Sequence, residues 1–80
     1  MSVFIQMSVS GYDTLTGKCQ RGSAERAILM RAIIREHWTA SLVEIRCELE
    51  EAKLLLALAI KACPDAVPDI QKAIAGSRRG

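Results

Sequence analysis

SLVEIRCELEEAKLLLALAIKAC, residues 41–63, is the stretch on which the reading of the whole chain turns. Ser41 followed by Glu44 is a capping-box pattern ahead of an apolar run. Leu42, Ile45, Leu49, Ala52, Leu56, Ala59 and Cys63 then recur at alternating spacings of three and four. That 3.5-residue stripe predicts a helix packed on another helix. Pro64 stops it. The expectation is one helix over 41–63.

Upstream, Gly22-Ser23 marks another helix start, with Ser23 as cap and Glu25 in the first turn. No Gly or Pro interrupts 23–38. A continuous helix from Ser23 to Cys63 is sterically allowed, and charge placement argues against it. Arg31 and Arg35 form a repulsive i,i+4 row, and Glu44, Glu48 and Glu51 form another. A reversal near Thr39–Ala40 turns both rows into one seam, with Arg35 facing Glu44 or Glu48 and Arg31 facing Glu48 or Glu51. The expectation is an antiparallel two-helix hairpin, 23–38 and 41–63. His37 and Trp38 fall near the reversal, where a cation complements the helix end.

Further out, Val3, Ile5, Met7 and Val9 alternate with Phe4, Gln6 and Ser8. Period two with β-branched residues predicts a strand with one buried face. Ser10-Gly11 and the Thr-rich run Tyr12–Lys18 suggest a hairpin, so 3–19 is read as strand or hairpin. Downstream, Asp65 caps a short helix over 66–75, and Gly76 ends it. Residues 77–80 read as a basic tail. The fold class is therefore α+β, mainly α, in a single domain over 1–80.

Composition bounds the function. The chain has 80 residues, half of them hydrophobic, a quarter charged and only three aromatic, so the core must be aliphatic. The longest charge-free apolar run, Leu54–Ile60, is far short of the ~20 residues of a membrane span. No basic residue precedes the apolar stretch Val3–Ile5. The expected compartment is the cytoplasm, of the cell itself or of a host if the gene is viral or plasmid-borne. Cys19, Cys47 and Cys63 form no metal knuckle or redox pair, and read as reduced thiols.

No constellation reads as catalytic. His37 is the only histidine, its neighbour Glu36 points elsewhere on a helix, and no nucleophile is placed beside it. Neither a catalytic nor a cofactor or metal role is assigned to any residue. Nucleic acid fits poorly. A strand followed by helices is the order of ribbon-helix-helix repressors, yet the outward set Phe4, Gln6 and Ser8 carries no cation. A helix-turn-helix around Trp38–Leu49 would have an acidic second helix, four Glu against Arg46 and Lys53, where phosphate needs cations.

Assembly is the stronger theme. Leu54–Ile60 is apolar around two helical turns, where a surface helix needs a polar face. Leu42, Ile45, Leu49, Leu54, Leu55, Leu56, Leu58 and Ile60 are therefore the expected homo-oligomer interface. Residues 18–35 hold five cations against one carboxylate. Of these, Lys18, Arg21 and Arg26 lie far from the acidic row and are expected to meet a protein partner, acidic in character, beside the strand edge. The function expected is a small non-catalytic interaction protein, an adaptor, inhibitor or accessory subunit. The alternative is a small nucleic-acid-binding regulator.

Overall fold

The computed structural model describes residues 2–36 and 41–77. The chain begins with strand β1, Ser2–Ser8, followed by helices α1, Val9–Lys18, and α2, Ala24–Leu29. Strands β2, Ile33–Glu36, and β3, Ser41–Glu48, come next. Helix α3, Leu49–Ala62, a 3-10 turn at Pro64–Ala66 and helix α4, Val67–Ser77, complete it. The three strands form one sheet in the order β1-β3-β2, with both pairings antiparallel. β1 and β2 thus run parallel to each other on either side of β3. The helical pair α1–α2 makes the crossover that such a connection requires.

The protein is mixed α/β, with helices interleaved with strands rather than gathered into one hairpin. β1 is where its alternation places it: Val3, Ile5 and Met7 are buried, and Ser2, Phe4, Gln6 and Ser8 face out. The expected second strand over Tyr12–Lys18 is helix α1 instead. Ser8 caps it, its Oγ accepting from the Gly11 N–H at 3.1 Å. Tyr12, Leu15 and Cys19 share one helical face, and burying Leu15 outweighs the weak helix propensity of Gly11 and Gly17. A Cβ at Gly11 would meet Ser8 Oγ at 3.3 Å and Ala66 Cβ at 3.7 Å, so glycine lets α1 approach the 3-10 turn closely. Gly22, with φ of 77°, makes the left-handed turn into α2.

The helix expected over 23–38 ends early. α2 stops at Leu29, and Ile33–Glu36 is strand β2. Ser23 does cap α2, accepting from the Arg26 N–H at 3.2 Å. The reversal proposed at Thr39–Ala40, with His37 and Trp38, lies outside the described residues.

The helix expected over 41–63 is half strand. Val43, Ile45 and Cys47 are buried, and Glu44, Arg46 and Glu48 alternate with them. Ser41 starts the strand and caps nothing. The capping box lies seven residues later, where Glu51 accepts from the Glu48 N–H at 3.0 Å and opens α3. β1 decides the outcome. A strand with one apolar face needs a neighbour, and the apolar set of β3 meets that of β1 in register, Val3 with Cys47, Ile5 with Ile45 and Met7 with Val43. The C-terminal helix is present as α4, but Asp65 lies within the preceding 3-10 turn instead of capping it, and the helix runs through Gly76 to Ser77.

α1, α2 and α3 cover the β1–β3 face, and α4 runs along β1. The core is all apolar; among the described residues no polar side chain is buried. Ile45 lies at its centre, so Ile45→Ala should cost about 2–5 kcal/mol. Urea unfolding should show this loss equally at low and high protein concentration, because Ile45 packs inside its own chain.

Candidate functional site

The fold leaves two apolar surfaces outside. The first surrounds β2. Ile34 stands opposite Val43 in the ladder and so shares its face, and Ile33 stands opposite Glu44 on the other face. Ile33 is 59% exposed, Ile34 56% and the adjoining Met30 56%. The reason is the reach of the helical layer: among the described residues β3 is the one element in substantial contact with β2. β2 is also the end of the sheet, and among the described residues no strand pairs with its other side. Among the described residues, Ile33 and Ile34 thus leave apolar surface open on both faces of a short edge strand.

The second surface is the outer side of α3. Ala52, Leu55 and Ala59 face the core, and Glu50, Leu54, Ala57, Ile60 and Lys61 face out. Leu54 is 41% exposed and Ile60 59%. A groove of about 240 Å³ runs beside them, where Lys18 and Gln20 approach Leu54, Ala57, Leu58 and Lys61.

A third concavity, about 590 Å³, lies between the outer face of β1 and α4. Its walls mix Phe4, Gln6 and Leu42 with Asp69, Lys72 and Ser77. Next to it, the Arg46 guanidinium sits 5.9 Å from the centre of the Phe4 ring, its partner across the ladder. Among the described residues no group of three His, Cys, Asp or Glu side chains could hold a metal ion.

These placements redistribute the expected interface. Ile45 and Leu55 are wholly buried in the chain's own core. Leu42, Leu49, Leu56 and Leu58 are half-buried. Only Leu54 and Ile60 of that set are exposed. The 3.5-residue seam is real from Leu49 onward, but the sheet and the other helices fill it. The basic trio does not gather at β1, which has β3 on one side and α4 along it. Lys18 reaches the α3 groove, and Arg21 is exposed between α1 and α2. Arg26 is half-buried and donates from Nη1 to the Thr16 carbonyl at 3.4 Å.

One expected pair does form, in a different setting. Arg31 grips Glu51 with both guanidinium nitrogens, Nη1 to Oε1 at 3.0 Å and Nη2 to Oε2 at 2.8 Å. This fork ties the entry to β2 to the first turn of α3. The Arg31 hydrogen bonds, then that from the Glu48 N–H, hold the Glu51 carboxyl below the usual carboxylate range. Two groups, the half-buried Tyr12 and the buried Cys47, move the other way. Burial pushes up the Tyr12 phenol, which donates to the Leu29 carbonyl at 2.7 Å, and also the Cys47 thiol.

No family model matches this chain, and no curated protein or solved structure matches it.

Two predictions follow from these environments. A lowered folded-state pKa gives stability that is present above the unfolded value and lost as pH falls through the folded one. Glu51→Gln should therefore unfold at a lower urea concentration at neutral pH, and the gap from wild type should close on acidification. In thiol labelling, Cys19 is half-exposed whereas Cys47 and Cys63 are buried. One thiol per chain should react in the native state, and the other two only at the rate of opening.

Proposed function

We propose that this chain is a small non-catalytic protein–protein interaction protein, an adaptor, inhibitor or accessory subunit, acting as a homo-oligomer. It takes up an extended segment of its partner along the free edge of β2. The observation carrying this reading is that Ile33 and Ile34, neighbours facing opposite sides of one edge strand, are both more than half exposed. Backbone pairing along that edge supplies affinity, and alternate partner side chains meet Ile34 and Met30 on one side and Ile33 on the other. Covering one such isoleucine is worth about 1.5–3 kcal/mol when burial is complete. Lys18 and Arg21, both exposed, steer an acidic partner by long-range attraction. The outer face of the sheet carries Glu44 and Glu48 beside Arg46, which suits protein better than a phosphate backbone.

The test is selection from a displayed random-peptide library on the immobilised protein. Enriched peptides should alternate apolar with other residues. Ile34→Lys, a change at an exposed position, should weaken their binding about tenfold or more while circular dichroism stays that of wild type. No enrichment, or peptides that bind Ile34→Lys equally well, would overturn the reading.

A further inference from the structure

The outer face of α3 carries a pattern that the core does not use. Glu50, Leu54, Ala57 and Lys61 are spaced four, three and four. All four are exposed, on the side of the helix opposite the buried Ala52, Leu55 and Ala59. This is a second 3.5-residue seam, short and facing outward. Its ends carry opposite charges, and its middle carries one large and one small apolar residue.

We propose that α3 docks on α3 of a second copy, antiparallel, about a twofold axis passing between residues 55 and 56. In that register Glu50 meets the second copy's Lys61, and Leu54 meets the second copy's Ala57. Twofold symmetry repeats each contact, so two Leu–Ala layers are closed at both ends by a Glu–Lys pair. A large side chain over a small one is the combination that interdigitates, and Ala57 lets the helices approach closely. Lys53 lies beside the seam on the same flank as Ile60. Its methylene stem covers the second copy's Ile60, the most exposed apolar residue of the helix. The salt link in one chain between Lys53 and Glu50, at 3.8 Å and solvent-exposed, is weak enough to yield.

Charge order selects the occupant and its direction. A parallel copy would set Glu50 on Glu50 and Lys61 on Lys61, whereas the antiparallel copy satisfies both. A contact of two Leu–Ala layers and two ion pairs is small beside the interfaces of stable complexes, so the dimer should dissociate on dilution. This deepens the oligomer part of the function proposed above by naming the surface, and leaves β2 free in each protomer for a partner.

The experiment is sedimentation equilibrium of the whole chain over micromolar concentrations up to about 1 mM. Wild type should approach twice its 8.8 kDa mass as concentration rises. Glu50→Lys and Lys61→Glu should each stay monomeric, because each sets like charges at both ends of the seam. Mixed one to one, the two variants should form a heterodimer, since every end pair is then of opposite charge. A folding defect in either variant would not be repaired by mixing. A wild type that stays near 8.8 kDa throughout overturns the dimer. A wild-type dimer unchanged by either substitution also overturns it, while sparing the wider reading of self-association. The peptide selection tests β2 alone, so the failure of one reading is distinguishable from the failure of the other.

Discussion

Seven consecutive residue pairs, from Ser2 with Glu48 to Ser8 with Leu42, join the start of the chain to its middle. The rest of the molecule depends on that antiparallel pairing. It aligns Val3, Ile5 and Met7 with Cys47, Ile45 and Val43, producing one apolar surface wide enough for helices to cover. Without β1, the segment Leu42–Cys47 has no reason to be extended, because its residues fit a helical seam equally well. Without β3, β1 has an apolar face and no hydrogen-bond partners. The register matters as much as the contact. A slip of one residue would put Phe4 and Gln6 inside and Ile5 outside.

From that pairing the remaining elements follow in order. The β1–β3 surface is capped by α1, α2 and α3, and α4 runs along β1, its Ile70 and Ile74 buried in the same core. Among the described residues β2 makes its main contacts with β3 and not with a helix, so this edge of the sheet is the less covered one. The Arg31–Glu51 fork holds the approach to β2 against the start of α3. It links that less covered edge to the helix that bears the outward seam. Both candidate surfaces are therefore set on rigid elements rather than loops.

How much of this was legible in the sequence varies by segment, for physical reasons. β1 was legible because its alternation has no competing period. The Ser23 cap was legible from local chemistry alone, and α4 was legible as a helix after Pro64 though not in its cap or its end. β3 was not, because Leu42, Ile45 and Leu49 satisfy a 3.5 period while Val43, Ile45 and Cys47 satisfy a period of two. Both patterns are present, and only the distant partner β1 selects between them. β2 was hidden inside an apolar run that continues the pattern of α2; the β-branched pair Ile33-Ile34 was its one signal. Charge complementarity found the Arg31–Glu51 pair although the assumed geometry was different, since opposite charges mark proximity in any fold. For the candidate surfaces, apolar excess in Leu54–Ile60 pointed to α3. It could not say which residues face out, because that depends on where the sheet lies.

The β1–β3 ladder also has a consequence for biosynthesis. About forty positions separate Ile5 from its ladder partner Ile45, and a ribosome adds 5–20 residues per second. β1 is therefore made roughly two to eight seconds before its partner exists, and longer passes before β3 clears the exit tunnel. During that interval Val3, Ile5 and Met7 have no ladder partner, and the nascent chain presents an unpaired apolar strand. The order of synthesis thus gives the N-terminal residues a waiting period that a chain with a local hairpin in the same place would not have.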